Sequence, residues 1–377
     1  MSAASSEPQI VEFVRAARAD KAPFEIVSGG TRRGVGRPLD LPPLDVSGLS
    51  GIVKYEPEEL ILSAAPATPL AEIDAVLAAK GQRLGFDPAD WSRLLGSNGV
   101  ATLAGAVSCD ASGSGKLRHG GARDSLLGFR AVNGLGEAFR AGGKVVKNVT
   151  GFDLPKLVCG AHGTLAVLTE LTFRVYPKPA HHMTLCLADV TPEAGFAALR
   201  KIALSALEPA GLAYLPAAMM AGVGQGAALI KLEGARAPLE EKIALAHGLL
   251  GGDITRIAED PFAAIGCGEI FADAGGDIWR VFVAPSDAPR VARELDARHW
   301  LGDWAGGVIW LAAKPDDASR VRAAAAKAGG QAMLLRAAPE SRARHGLFAA
   351  QPPALAALSR SVKAAFDPLG LFNPGRL

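Results

Sequence analysis

Ten glycines fall between Gly96 and Gly136, in the run GSNGVATLAGAVSCDASGSGKLRHGGARDSLLGFRAVNGLG, and most of their neighbours are small. Glycine offers little apolar area and loses the most backbone freedom on folding, so such a run makes a poor core. It does permit close backbone approach and positive φ, which lets successive N–H groups converge on an anion. A second such place lies upstream, where the strand-like Phe24 to Val27 runs into Ser28-Gly29-Gly30-Thr31-Arg32-Arg33-Gly34. A strand ending in a Gly-Gly turn with two arginines can hold a phosphate, although the same residues also make a plain β-turn. The chemistry these residue types suggest is the binding of an extended, phosphate-bearing cofactor. A free linker does not fit, because Val100, Leu103, Val107, Leu126, Leu127 and Phe129 interrupt the small residues regularly.

Two nucleotide motifs compete and fail on context. Gly222-Val223-Gly224-Gln225-Gly226-Ala227 matches the dinucleotide fingerprint, yet it precedes strand-like Leu229 to Leu232 instead of opening a helix. Gly115-Lys116 and Gly143-Lys144 lack both the following Ser/Thr and the upstream glycine spacing of a P-loop.

The elements that must position these residues follow from periodicity. Ser6 to Lys21 reads as an amphipathic helix with Ile10, Val11, Phe13 and Val14 on its apolar side. Ile52 to Tyr55 and Leu60 to Ala64 form a hairpin, and Thr68-Pro69 opens a helix to Lys80. Gly128 to Val132 and Ala138 to Arg140 flank a turn at Asn133-Gly134. Thr164 to Tyr176 alternates, with Leu165, Val167, Leu171, Phe173 and Val175 on one face. Beyond Pro179, two rounds of strand, helix and strand run to Arg336, which suggests an antiparallel sheet with helices on one face in ferredoxin-like fashion. The fold class is therefore α+β. The expected domains are 1–180, a smaller second domain at 181–340, and a segment at 341–377 that packs back on the first.

Composition narrows the class. With 377 residues, 49% hydrophobic and 21% charged, the chain is long enough for two or three globular domains. A formal charge of +2 without a Lys/Arg cluster leaves no polyanion footprint, which sets nucleic acid aside. The uncharged run from Gly211 to Ile230 carries Pro216 and three glycines at 222, 224 and 226, unlike a membrane span. The opening MSAASSEPQIVEF lacks a signal-peptide layout. Cys109, Cys159, Cys186 and Cys267 are far apart and form no Cys-x-x-Cys pair, so no metal site is expected and a cytoplasmic setting is the default.

As a set, these segments resemble the FAD-binding domain of the vanillyl-alcohol oxidase and p-cresol methylhydroxylase superfamily. The resemblance rests on Ser28-Gly29-Gly30-Thr31, on Ala101-Thr102-Leu103-Ala104-Gly105-Ala106 through Asp110-Ala111-Ser112-Gly113, and on Gly120-x-x-Arg123-Asp124-x-x-x-Gly128. It continues in Gly151-Phe152-Asp153-Leu154, Gly163 to Thr169 with Val167, and Lys363…Asp367-Pro368…Asn373-Pro374-Gly375. It covers roughly residues 5–180 and 360–377. It implies FAD, with the first turn (Ser28 to Gly34, including Arg32 and Arg33) and the run Ala101, Thr102, Gly105, Ala106, Ala111, Ser112 and Gly113 along the pyrophosphate. Gly163 and Val167 would lie at the flavin and adenine ends, and Asn373 would reach the cofactor from the tail that returns to the FAD domain. Thr31 stands where some members carry a flavin-linking histidine, which implies non-covalent FAD; Asp110 stands where the family has an asparagine.

The wording Lys147-Asn148-Val149-Thr150-Gly151-Phe152-Asp153-Leu154-Pro155-Lys156-Leu157 and the Asp-Pro-x-Gly-x-Phe-Asn-Pro-Gly tail are most similar to FAD-binding E subunits of bacterial glycolate oxidases. That implies partnership with a larger FAD-binding D subunit and an iron–sulfur F subunit. The complex would oxidise a small 2-hydroxy acid, glycolate, and touch a membrane only peripherally, at its inner face. No catalytic residue is assigned. His181-His182 reads as a solvated linker, and His162 as either a loop histidine bonded to backbone or a base near the flavin. Arg342, Arg344 and His345 read as a solvated basic face. Two alternatives stay open: a self-sufficient flavin dehydrogenase of another 2-hydroxy acid or an aldonolactone, and a non-catalytic assembly subunit with a degraded groove.

Overall fold

A computed structural model describes residues 3–143, 152–220, 224–251 and 253–377. The wording at 147–151 and the glycines at 151 and 222 therefore lie outside the described residues. The chain divides into two compact units, one of Met1–Ser112, Gly120–Lys178 and Ala350–Leu377, the other of Gly113–His119 and Pro179–Ala349. The short segment Gly113–His119, inside the glycine-rich run, thus belongs with the second unit, and the returning segment starts at Ala350.

The first unit opens with a helix, Glu7–Ala19, which buries Ile10, Val14 and Ala17 at i, i+4 and i+7. Strand β1 (Glu25–Val27) pairs in parallel with β2 (Pro43–Asp45). A six-stranded antiparallel sheet follows: β3 (Ile52–Glu56), β4 (Ile61–Ala64), β5 (Gln82–Leu84), β6 (Leu126–Val132), β7 (Ala138–Gly142) and β8 (Val167–Pro177). Its order is β3-β4-β8-β6-β7, with β5 also on β8. Strand β8 is central and pairs with β4, β5 and β6.

The pairing of β8 changes one expectation. Arg130 lies opposite Glu170, while Ala131 lies opposite Leu168, so Thr169 is bulged out of register. One extra residue moves everything beyond it to the opposite face. Leu168 therefore joins the core of Leu171, Phe173 and Val175. Val167, expected on that face, instead packs with Ile10, Val14, Phe24 and Phe372.

The second unit is one antiparallel sheet of eight strands: β9 (His181–Ala188), β10 (Gly211–Pro216), β11 (Gly226–Gly234), β12 (Ile254–Ile257), β13 (Asp277–Phe282), β14 (His299–Asp303), β15 (Val308–Ala313) and β16 (Gln331–Arg336). The order β12-β9-β11-β10-β14-β15-β13-β16 is two βαββαβ units, each ferredoxin-like, joined where β10 meets β14. Helices Pro192–Ala203, Arg236–Leu250, Ala288–Leu295 and Ala318–Lys327 contribute Phe196, Ile243, Val291 and Val321 to a single core with these strands. Strand β14 was not visible in the sequence, because His-Trp-Leu-Gly-Asp has no clear alternation. Its Gly302 is required by packing: a Cβ there would lie 2.4 Å from Phe196 Cζ. His181 and His182, read as a linker, begin β9.

Candidate functional site: a glycine-walled groove in the first unit

Strand β1 delivers the chain into the Ser28 to Gly34 turn, and this turn meets the second glycine-rich segment edge to edge. Val100 N donates to Gly29 O at 2.9 Å. A Cβ on Gly29 would lie 1.7 Å from Val100 O, and one on Gly99 would lie 1.9 Å from Gly29 O. No side chain fits between these backbones, so glycine is obligatory on both sides. Ser28 Oγ and Thr102 Oγ1 share a hydrogen bond of 3.0 Å next to this contact.

The two segments wall a cavity of about 110 Å³. Of the residues expected at a cofactor site, Ser28, Gly29, Gly30, Thr31, Arg32, Arg33, Thr102, Gly105, Gly163 and Asn373 line it. Gly34, Ala101, Ala106, Ala111, Ser112 and Val167 do not line it, and Gly113 belongs to the second unit. Ala106, Ala111 and Ser112 are wholly buried. The bulge at Thr169 accounts for Val167: its neighbours Ala166 and Leu168 line the groove in its place.

Glu25, Cys109 and Arg376 are among the groove residues that the sequence reading does not include. Glu25 is 2% exposed and accepts from Arg33 Nε at 3.0 Å and Nη2 at 2.6 Å, as well as from Arg376 Nη2. Arg32 Nη2 donates to Ala89 O at 2.6 Å, and its guanidinium lies 4.5 Å over the Trp91 ring. The groove thus carries three guanidiniums, Arg32, Arg33 and Arg376, against the single carboxylate of Glu25. The sequence signal that could have found Arg376 was its place three residues after Asn373 in the returning tail.

The loop Gly160 to Gly163 closes one end. His162 sits at φ 51 and is buried; its N donates to Ser108 O at 2.7 Å and its O accepts from Asn373 Nδ2 at 2.9 Å. Burial, with Arg376 and Arg32 close by, pushes its pKa down to about 3, so the imidazole is neutral at ordinary pH. Its Nδ1 lies 3.6 Å from Cys109 Sγ, and burial pushes the Cys109 thiol up. A neutral imidazole beside a protonated thiol is a poor nucleophile pair. Asn373 also accepts from Ile26 N at 2.8 Å, tying β1 to this loop. Asp110 is not among the groove-lining residues; a Cβ on Gly160 would lie 3.5 Å from Asp110 Cβ, placing that side chain against the 160 loop.

The groove fits an anionic stretch of cofactor. Among the described residues the N–H groups of Gly29, Gly30 and Thr31 donate to no backbone carbonyl, and a Cβ on Gly30 would meet nothing within 4 Å. Donors, open space and guanidinium charge occur together there.

Comparison with known proteins agrees with this geometry. A family profile described as FAD binding domain matches residues 2–142. The chain is 32% identical to glycolate oxidase subunit GlcE of Escherichia coli (strain K12), over 98% of this chain and 96% of that one. The chain belongs to the GlcE family. It is accordingly a flavoprotein of the oxidoreductase class, and its cofactor is FAD. A more distant relative is glycolate oxidase subunit GlcD of Bacillus subtilis (strain 168), 29% identical over 44% of this chain and 34% of that one. The fold is that of p-cresol methylhydroxylase, matched with a TM-score of 0.65 at 16% identity over 99% of this chain and 87% of that one. Among the described residues no helix is long and apolar enough to cross a membrane.

Proposed function

We propose that this chain is the FAD-carrying E-type subunit of a multi-subunit 2-hydroxy-acid dehydrogenase that oxidises glycolate to glyoxylate. The observation that carries the reading is the GlcE match, which spans nearly the whole of both chains. The D-type partner is suggested by the separate similarity to GlcD; the iron–sulfur F-type partner comes from the resemblance of the Asp-Pro-x-Gly-x-Phe-Asn-Pro-Gly tail to E subunits. FAD, when bound, supplies a two-electron acceptor for the substrate's C–H and O–H pair.

In this reading the chain's own residues bind and orient. Ser28 to Arg33, Thr102 and Gly105 receive the diphosphate. Gly163, Ala166, Leu168 and Asn373 border the same groove and hold the neighbouring part of the cofactor. The binding is non-covalent: Thr31 presents no ring nitrogen in the first turn, and the buried Cys109 thiol stays protonated. None of these side chains is a proton-accepting base for the hydroxy acid, which favours turnover only in the complex; the setting read for that complex is cytoplasmic, with at most peripheral membrane contact. The test is dye-linked glycolate oxidation. The purified chain alone is expected to show little, and the complex pulled from its native cell on this chain is expected to oxidise glycolate and to contain a GlcD-like chain and iron. Steady turnover by the chain alone would replace this reading with a self-sufficient dehydrogenase.

A further inference from the structure

A buried ion pair of the first unit involves a residue far from the glycine turns. Arg376 is 6% exposed, stands 351 positions from Glu25, and lines the cofactor groove. Its Nη2 donates to Glu25 Oε1, while the other oxygen of Glu25 holds Arg33. Its Nη1 donates to two main-chain carbonyls of the first turn, Arg33 O at 3.0 Å and Val35 O at 3.2 Å. Its own carbonyl accepts from Arg37 N at 3.1 Å, and a Cβ on Gly36 would lie 2.4 Å from that oxygen. The side chain thus holds Arg33 and Val35 of the turn, and the main chain of the same residue abuts Gly36 and Arg37.

A guanidinium whose planar fork serves three acceptors at once is well suited to fixing a loop's shape. Its targets matter as much as its number of bonds. Carbonyl oxygens pointing into an anion site repel the ligand, and a guanidinium that occupies two of them removes that repulsion. The carboxylate of Glu25 would repel as well; it is flanked by Arg33 and Arg376, which leaves positive charge in excess around it.

We propose that Arg376 is a positioning residue of the cofactor site, holding the Ser28 to Gly36 turn, through Glu25 and the carbonyls of Arg33 and Val35, in the shape that receives the FAD diphosphate. This rests on the FAD reading of the groove. It makes the Asn373 to Leu377 segment a part of the site, although no residue of that segment follows a glycine-rich strand turn.

The experiment compares full-length flavin-free wild type, Arg376→Gln and Arg376→Lys, titrated with FAD and with riboflavin, which has no phosphate. Arg376→Gln is expected to weaken FAD binding at least tenfold while changing riboflavin binding less than twofold. Arg376→Lys, which keeps the charge and loses the fork, is expected to fall between wild type and Arg376→Gln for FAD, and it serves if the glutamine variant does not fold. FAD affinity within threefold of wild type in both variants would overturn the proposal, as would an equal loss of FAD and riboflavin. Wild type that takes up no FAD would instead overturn the cofactor reading itself.

Discussion

Gly29 and Gly99 approach so closely that a single methyl carbon on Gly99 would sit 1.9 Å from the Gly29 carbonyl oxygen. That contact joins the strand turn after β1 to the long glycine-rich run, which are 70 residues apart by number and form one wall in space. The obstacle is backbone on both sides, so no rotamer change relieves it.

Gly99→Ala therefore should lower stability by about 2–3 kcal/mol, as overpacking against backbone does. The same variant should lose most of its flavin on gel filtration, because the turn bearing Gly30 and Thr31 must shift. Urea unfolding and flavin absorbance check both; a variant that keeps wild-type stability would show that the two segments are not in this contact.

Asn373 spans the groove's far side, accepting from Ile26 N and donating to His162 O. It also sits at φ 42, where alanine is strained. Asn373→Ala leaves the half-buried Ile26 N–H and the buried His162 carbonyl without this partner, at about 1–3 kcal/mol for the carbonyl and less for the N–H. Asn373→Asp keeps the acceptor and loses the donor, so its loss should be roughly half as large in the same urea titration.

His162 gives a pH signature. Its folded pKa of about 3 lies below the ordinary value of 6.5 because burial and the nearby guanidiniums of Arg376 and Arg32 oppose the imidazolium. Above pH 6.5 neither state takes the proton, and this contribution to stability is complete. Between 6.5 and about 3 only the unfolded chain is protonated, so stability falls as pH falls, by up to about 1.4 kcal/mol per pH unit. His162→Asn, which suits the left-handed backbone, removes that proton uptake. Its stability deficit relative to wild type should shrink between pH 7 and pH 4.5; a constant difference across that range would contradict the assignment.

In the second unit, Gly302 of β14 faces Phe196, and a Cβ there would lie 2.4 Å from the ring. Gly302→Ala should cost about 1–3 kcal/mol and leave flavin content per folded chain unchanged. Thermal melting with flavin analysis separates this from the groove variants.

The parts of the groove that were legible in the sequence are those where one residue type has one physical use. Ser28-Gly29-Gly30-Thr31 with Arg32 and Arg33 reads equally as a plain β-turn on its own, and as an anion turn once the second glycine-rich run is set beside it. Thr102 and Gly105 followed from the same texture. What could not be read depends on pairing across the fold. Val167 lies on the face opposite to the one its alternation predicts, because the bulge at Thr169 shows only in the pairing of β8 with β6. Glu25 reads locally as a polar residue in a strand, and its bridge between Arg33 and the distant Arg376 appears only in the fold. Strand β14 exists because β10 and β15 supply its bonds, while its own five residues carry little strand preference. The repeated βαββαβ order was half visible, as two rounds of strand and helix, and its eight-stranded continuity was not.

In the proposed reading this chain holds FAD without a covalent link, in the groove between Ser28 and Asn373. The direct measurement is flavin content of the purified chain before and after acid precipitation. A yellow protein that releases close to one FAD per chain into the acid supernatant is the predicted result. A colourless chain that takes up no FAD when it is supplied would contradict the account, and flavin retained in the acid pellet would contradict its non-covalent form.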